Sequence, residues 1–200
     1  MEKIQSLTGM MDLIENKANK ADTANGIFYT EHILKDIFET YSISEIRTPA
    51  LEDSSLFKRS VGDTSDIVNK ELYSFMDKND KSITLRPEGT ASVIRSIIEK
   101  KIDNESNKFW YLGPMWRYER PQKGRYRQFS QAGVEILGYS EGIAELEIVS
   151  IICSINKALG IENSILKINH LGDKESKEEY CNCLLYTSPS PRDKRQSRMP

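Results

Sequence analysis

Two β-prone runs around a Pro/Gly loop constrain the fold of this chain more than any other feature of its sequence. The runs span Phe109–Glu119 and Tyr126–Leu137, and the loop between them is Pro121–Gly124. Side chains on a strand alternate between its two faces, so every second residue shares a face. The second run becomes apolar on one face and mixed on the other, and the mixed face holds Arg127, Phe129, Gln131, Gly133 and Glu135. We therefore expect an antiparallel hairpin with one face directed to a core.

The other face of this hairpin has the side chains of a ligand site. Antiparallel pairing is expected to bring together Arg117, Glu119, Phe129, Gln131 and Glu135. A guanidinium can fork onto a phosphate, an aromatic ring can stack under a purine, and a carboxylate can accept from an ammonium group. Gly133 is expected to leave room for a ligand against the backbone. The alternative is a solvated sheet face with cross-strand charge pairs.

The remaining periodicities predict an α+β fold in which helices flank an antiparallel β-sheet. Pro49 is expected to end the first strand, Pro87 to occupy the first position of a helix, and Gly160 to end another. Ile98 and Ile152 are expected in the core by their helical spacing. In chain order, the predicted elements are helix Ala24–Tyr41, strand Ser44–Ala50, helix Leu51–Val61, a polar loop Gly62–Asn69, a hairpin of Leu72–Met76 and Ser82–Arg86, a helix from Pro87 to Lys101, the two long strands, helix Glu141–Leu159, strand Ile165–His170 and helix Asp173–Tyr180.

Composition and charge exclude several classes of protein. The chain has 200 residues and a formal net charge of -2, which removes the basic signature of a general nucleic-acid coat protein but allows a local basic patch. No stretch approaches the roughly 20 apolar residues of a membrane span, and no secretory signal is expected, because residues 1–16 contain no continuous apolar region. The cysteine usage suggests a reducing, cytoplasmic compartment. His170, Cys181 and Cys183 are too few for structural zinc, so no metal site is assigned.

The C-terminal segment, residues 184–200, does not continue the pattern of the rest. It carries three prolines, three arginines and one lysine without an apolar period, a composition typical of disorder. It resembles translated adaptor or vector sequence, and we interpret it as not native to the domain. A natural flexible tail is the alternative.

Two further stretches carry a resemblance to a known family. TLRPEGT (residues 84–90) lies at a predicted strand-to-helix junction, where an acid such as Glu88 suits the helix dipole. Together with WRYERPQKGRYRQFSQAGVEILG (116–138) it is similar to the catalytic core of bacterial histidyl-tRNA synthetases, which are class II aminoacyl-tRNA synthetases. YSISEIRTPALEDSSLFKRSVGDTSDIV (41–68) resembles the first motif of that class. The resemblance covers residues 5–180, so that 1–183 is interpreted as a partial catalytic domain.

The resemblance implies a function and a set of site residues. It implies that histidine is activated with ATP and Mg²⁺ to histidyl-adenylate and transferred to the 3′ end of tRNA(His), by a homodimer that pairs through Tyr41–Pro49. Arg117 and Glu119 are implied as catalytic and, with Phe129, as ATP-binding. The residues implied for histidine binding are Glu88, Gly89, Thr90, Gln131 and Glu135. The loop implied to approach the tRNA acceptor end contains Arg120, Gln122, Lys123 and Arg125.

The sequence departs from that family after Tyr180, where the later ATP-binding motif, the histidine-selecting segment and the anticodon-binding domain do not follow. The 200-residue chain is therefore expected not to turn over by itself. A histidine-binding, non-catalytic relative, the regulatory subunit of ATP phosphoribosyltransferase, is the alternative function. It need not keep the ATP-facing residues, which are present here. An interaction module with a merely charged sheet face is a third possibility.

Overall fold

The computed structural model describes residues 4–17, 23–61, 71–140, 142–169, 172 and 174–187, in two compact units, Met1–Glu162 and Asn163–Pro200. Helices combined with mostly antiparallel sheets confirm the predicted α+β class. Within the described ranges, no helix has the length and apolar character needed to cross a membrane. The elements are α1 (Thr23–Thr40), β1 (Ser44–Glu45), β2 (Leu51–Asp53), α2 (Ser54–Val61), β3 (Ser74–Met76), β4 (Ser82–Leu85), α3 (Thr90–Glu99), β5 (Asn107–Trp116), β6 (Gln128–Leu137), α4 (Ile143–Ala158) and α5 (Lys174–Thr187).

The predicted long hairpin is the centre of the first unit. Strands β5 and β6 pair antiparallel over ten residues each, and β1 adds to β5 in parallel. The register runs from Asn107 opposite Leu137 to Trp116 opposite Gln128. Because the side-chain period of a strand is two, this register fixes which residues share each face.

Each face of this sheet packs on a separate apolar cluster. The even-numbered face carries Trp110, which packs with Phe38 of α1 and Ile151 of α4. The odd-numbered face carries Tyr111 and Met115, which pack with α3. The sheet is thus a layer between α1 with α4 on one side and α3 on the other, and the odd face is only partly covered.

The second sheet has the order β2-β4-β3, and both of its pairings are antiparallel. Thr84 is fully buried on β4, and its hydroxyl lies 2.6 Å from that of Ser54 and 2.7 Å from that of Ser74. This network satisfies hydroxyl groups that would be costly to bury unpaired. The sheet supports β4, whose end leads into the TLRPEGT turn.

The prediction for residues 44–53 is wrong in two places. Strand β1 ends at Glu45 instead of Ala50, because its pairing with β5 stops there apart from one further bond, from the Ile46 N–H to the Trp110 carbonyl. The predicted helix from Leu51 begins only at Ser54. Leu51–Asp53 instead pairs with β4, and the Asp53 carboxylate then accepts the Ser55 N–H at 2.9 Å, which suits a helix start. The polar loop expected at 62–69 lies outside the described residues.

Helix α3 begins at Thr90 instead of Pro87. The carbonyl groups of Arg86 and Pro87 accept hydrogen bonds from β5 and from Arg117, which holds this segment outside the helix. The expected burial of Ile98 and Ile152 is also wrong, since they are 60% and 43% exposed. Each follows a buried isoleucine by one residue, a rotation of about 100° around the helix axis. Gly160 has φ +68° and follows Leu159, the residue that caps the end of α4, as its predicted helix-ending role requires.

In the second unit, residues 164–169 take no regular structure, so the strand predicted from Ile165 is wrong over its described residues. Ile165 and Ile168 are 82% and 79% exposed, and a β-prone run needs a partner strand to be stable. His170 lies outside the described residues. Helix α5 continues to Thr187, beyond its predicted end at Tyr180 and beyond residue 184, where the tail was expected to begin. Residues 188–200 are outside the described ranges, and the division into domain and tail stays a prediction.

Candidate active site

The odd face of the hairpin gathers the predicted polar side chains in the order that the alternation requires. Phe129 lies opposite Met115, Gln131 opposite Gly113, and Glu135 opposite Phe109. One backbone bond beyond the last strand pair, from the Arg117 N–H to the Arg127 carbonyl at 3.0 Å, extends this face to Arg117. Phe129, Gln131 and Glu135 are all partly buried.

Tyr111, which the sequence interpretation did not single out, fills the middle of this face. It is 6% exposed, and a Cβ added at either Gly89 or Gly133 would overlap its ring. The prediction that Gly133 leaves room for a ligand is therefore wrong, because the phenol ring takes that space. Both glycines are needed for close packing against an aromatic ring. Alternation along β5 places Tyr111 on the face of Met115 and Arg117, and this signal would have identified it.

The end of the face next to α3 is acidic and tightly hydrogen-bonded. The Thr90 hydroxyl donates to the Glu135 carboxylate at 2.6 Å. The Glu88 carboxylate accepts the backbone N–H groups of Thr90 at 2.6 Å and Ala91 at 3.0 Å, and thereby caps α3. Burial raises the pKa of the Glu135 carboxyl, the Thr90 hydrogen bond opposes this, and the Glu88 carboxylate adds to it. We call Glu88, Thr90, Gln131 and Glu135 the acidic end.

Gln131 presents a buried acceptor to the acidic end. Its Nε2 donates to the Tyr111 hydroxyl at 3.2 Å, which fixes the amide. Its Oε1 is buried and, among the described residues, has no hydrogen-bond partner. Burial raises the pKa of the Tyr111 hydroxyl, and the carboxylates of Glu135 and Glu88 act in the same direction. An acceptor without a partner, linked through the Tyr111 hydroxyl to a region where two carboxylates act, is suited to a ligand that donates hydrogen bonds and carries positive charge.

The opposite end of the face is basic. The Arg117 guanidinium lies 5.3 Å from the centroid of the Phe129 ring, and its Nε donates to the Pro87 carbonyl at 2.9 Å. The hydrogen bond to Pro87 uses only the Nε of Arg117 and fixes the plane of the guanidinium. Among the described residues, no carboxylate forms an ion pair with its two terminal nitrogens. A guanidinium fixed in this way is suited to a phosphate or carboxylate oxygen.

Glu119 lies past the last paired residue of β5 instead of within the strand. Its carboxylate pairs with Arg125 at 3.1 Å, and its carbonyl accepts from the Nε of Arg127 at 3.2 Å. The loop turns at Lys123 and Gly124, where Gln122 and Arg125 form an isolated antiparallel bridge. The loop residues that the resemblance assigned to tRNA are all exposed, and they are Arg120, Gln122, Lys123 and Arg125. The hairpin thus places Arg117, Phe129, Gln131 and Glu135 along one face and holds Glu119 at the base of the loop.

The architecture is shared with solved structures. The crystal structure of apo Staphylococcus aureus histidyl-tRNA synthetase is similar with a TM-score of 0.72 and 35% identity, covering 92% of this chain and 42% of that one. A Bacillus halodurans protein described as an ATP phosphoribosyltransferase regulatory subunit/histidyl-tRNA synthetase has a TM-score of 0.61 at 22% identity, which shows the fold alone. This match covers 82% of the present chain and 40% of the other. The fold is that of a class II aminoacyl-tRNA synthetase core.

Sequence comparison narrows this class to one family. The histidyl-tRNA synthetase family matches residues 9–172. The histidine–tRNA ligase of Francisella philomiragia is 45% identical over 193 residues, which cover 94% of this chain and 44% of that protein. The chloroplastic ligase of Gracilaria tenuistipitata is 45% identical over 181 residues, or 88% of this chain and 41% of the other. The chain belongs to the histidyl-tRNA synthetase family and spans about two fifths of the length of these curated relatives.

Proposed function

We propose that this chain supplies part of the catalytic core of a histidine–tRNA ligase. The observation that carries the proposal is the two-ended sheet face, with Arg117 over Phe129 at one end and the acidic end at the other. A reaction between an amino acid and a nucleotide needs one group that binds the ammonium of the amino acid and another that binds a phosphate of the nucleotide. The same face offers both.

At the acidic end, we propose that Glu88, Gly89, Thr90, Gln131 and Glu135 bind histidine. The carboxylates and the unpaired Gln131 Oε1 are acceptors, so they suit the α-ammonium group of the amino acid. Gly89 acts by allowing the ring of Tyr111 to approach closely, which keeps the amide of Gln131 in place. Two contacts support these groups, from the Thr90 hydroxyl to the Glu135 carboxylate and from the Gln131 amide to the Tyr111 hydroxyl.

At the basic end, we propose that Arg117, Glu119 and Phe129 bind ATP and that the first two act in catalysis. Phe129 stacks on adenine, Glu119 lies on the adenine side, and Arg117 contacts the α-phosphate. The histidine carboxylate attacks the α-phosphorus, and pyrophosphate leaves. Arg117 stabilises the charge that develops on the phosphate oxygens, which is the main catalytic demand in such a transfer.

Mg²⁺ is proposed to accompany ATP, since phosphate oxygens are its usual ligands in nucleotide sites. Among the described residues, no group of three His, Cys, Asp or Glu side chains forms a metal site. Magnesium at nucleotide sites is bound through one or two carboxylates together with phosphates and water. When bound, Mg²⁺ would neutralise phosphate charge, while Arg117 orients the α-phosphate.

The remaining proposals concern partners and location. The exposed loop of Arg120, Gln122, Lys123 and Arg125 is proposed to approach the acceptor end of tRNA(His), because clustered cations neutralise nucleic-acid phosphates. Tyr41–Pro49, much of it exposed, is proposed as the homodimer contact. We infer a cytoplasmic protein in which residues 1–183 belong to the catalytic domain and 184–200 form a tail.

Pyrophosphate exchange tests the proposed reaction. A protein of the curated relatives' length that contains these residues should exchange labelled pyrophosphate into ATP only when histidine is present. Histidine binding without exchange would favour the regulatory-subunit alternative, and no binding would favour an interaction module. The 200-residue chain assayed alone should show no exchange, and exchange close to that of the longer protein would contradict this expectation.

A further inference from the structure

Arg86 links segments that are far apart in the sequence. Its Nη1 donates to the carbonyl and hydroxyl oxygens of Thr48, at 2.8 and 3.0 Å, and its Nε donates to the Pro114 carbonyl at 3.1 Å. Its backbone N–H donates to the Ala50 carbonyl at 2.9 Å, and its own carbonyl accepts the Trp116 N–H at 3.1 Å. One residue therefore ties the chain around Thr48 to the end of β5.

The guanidinium of Arg86 is held by neutral oxygens instead of a carboxylate. In the ranges that the structure describes, no acidic oxygen lies within ion-pair distance of it. Burial lowers the pKa of this guanidinium, and the charge of Glu52 only partly opposes the effect. A Cβ added at Gly113 would lie 2.9 Å from Nη2, so β5 leaves room for the guanidinium only because Gly113 has no side chain. A partly buried charge without an ionic partner is costly, which favours a geometric role.

The next residue connects this arrangement to the candidate active site. The Pro87 carbonyl accepts the Nε–H of Arg117 at 2.9 Å. Pro87 is fully buried and its ring fixes φ, so ψ is the only soft backbone dihedral between the position of Arg86 and the direction of the Pro87 carbonyl. Thr48 is therefore connected to the Arg117 guanidinium by two links. The Arg86 side chain bonds to Thr48, and the carbonyl of the next residue, Pro87, accepts from Arg117.

We propose that Arg86 is a positioning residue that orients Arg117 through the Pro87 carbonyl and couples Arg117 to the chain around Thr48. The part of the proposal that concerns ATP rests on the proposed function, which assigns the α-phosphate to Arg117. Because Thr48 lies in the proposed homodimer contact, subunit contact and ATP binding are expected to influence each other through Arg86. Such a coupling between two sites is necessarily reciprocal.

The Arg117 Nε–H group reports on this coupling directly. In the 200-residue chain, hydrogen exchange of this group is measured by ¹⁵N NMR, with the signal assigned by Arg117→Lys. Arg86→Gln and Arg86→Lys should accelerate exchange and weaken ATP binding by about tenfold each, the scale of a lost hydrogen bond to a charged group. Lysine should not rescue, since an ammonium group lacks the planar fork. Histidine affinity should change less than about twofold, below the scale of one hydrogen bond.

Arg95→Gln is the matched control. Arg95 pairs with Glu52 and Glu99 and contacts neither Thr48 nor Pro87 in the described structure. This variant should lose ion pairs without changing exchange at Arg117 or the ATP affinity. A purely structural role for Arg86 predicts instead that Arg86→Gln and Arg95→Gln have the same effect on exchange at Arg117 and on ATP affinity.

The outcomes separate the positioning role from the proposed function. Unchanged exchange at Arg117 in a folded Arg86→Gln protein overturns the positioning role. Faster exchange with unchanged ATP affinity supports positioning and counts against the ATP role of Arg117. If Arg86→Gln does not fold, Gly113→Ala decides, because its Cβ would displace Nη2 while leaving the arginine present. Faster exchange in that variant supports the proposal, and unchanged exchange overturns it.

Discussion

The two ends of the candidate site are built differently. At the acidic end, Thr90 is joined to Glu88 and Glu135 by short hydrogen bonds, and Gln131 is held by the Tyr111 hydroxyl. At the basic end, Arg117 is held by the Pro87 carbonyl and by the Phe129 ring, and the cationic loop beyond it is exposed. Preorganised polar groups at one end and open cationic side chains at the other suit ligands of different size.

This difference indicates that the acidic end determines selectivity and that the cationic loop provides general attraction for phosphate charge. Buried acceptors that are already oriented reject a ligand that leaves them unpaired, so the acidic end is suited to choosing one amino acid. An exposed cationic loop recognises phosphate charge with little selectivity, so it is suited to a large polyanion. Four predictions test this division, beginning with the largest effect.

Replacing Arg117 by alanine should lower histidine-dependent pyrophosphate exchange about 100-fold in a protein of the relatives' length, the scale of losing a charge-stabilising donor. Arg117→Lys should recover little of this loss, because an ammonium group cannot reproduce the fork. Lys35→Ala, on the exposed side of α1, is the control and should retain full exchange. A loss below about threefold in Arg117→Ala would remove the catalytic role of the basic end, given the scale expected for such a donor.

Gly133→Ala should destabilise the folded chain by about 1–3 kcal/mol, because its Cβ would overlap the Tyr111 ring and cores resist overpacking. Chemical denaturation measures this loss. The matched control is Gly26→Ala in α1, where an added Cβ meets no atom within 4 Å. That change should stabilise the chain by about 0.5–1 kcal/mol. Equal effects of the two substitutions would contradict the packing of Tyr111 between glycines.

Glu135→Gln should weaken histidine binding about tenfold, the scale of a lost charge-assisted hydrogen bond, and leave ATP affinity unchanged. Without ligand, the same change should raise the thermal midpoint at neutral pH. The pKa of Glu135 is raised in the folded state, so its contribution to stability is present at low pH and is lost as the pH rises through that pKa. Histidine affinity should instead fall as the pH is lowered through that pKa, because the protonated carboxyl no longer carries the negative charge. A midpoint that decreases in Glu135→Gln would contradict the burial effect.

These particular residues also show which parts of the molecule the sequence could predict. Alternation along β6 is local, so the shared face of Phe129, Gln131 and Glu135 followed from the sequence and was confirmed. The space at Gly133 depends on the Tyr111 ring from the neighbouring strand, and local pattern could not supply it. Leu51–Asp53 was misassigned for the same reason, since its strand exists through pairing with β4.

The start of α3 and the role of Arg86 likewise depended on contacts between segments that are distant in the sequence. Glu88 was expected within the helix, but its carboxylate caps the first turn from outside, while the preceding carbonyls are used by β5 and Arg117. The segment TLRPEGT therefore has two different structural roles. Its first half joins strands, and its second half begins a helix.

The smallest expected effect concerns the tip of the loop. Lys123→Ala should leave pyrophosphate exchange unchanged and weaken tRNA binding only slightly, because a single exposed phosphate contact contributes little. The salt dependence is more informative, since losing one contact should reduce the slope of log K against log salt by about 0.7–0.9. Gln122→Ala next to it removes no charge and should leave the slope unchanged. An unaltered slope in Lys123→Ala would remove Lys123 from the tRNA contact. A fall in exchange would show that the basic end does not separate nucleotide chemistry from tRNA binding.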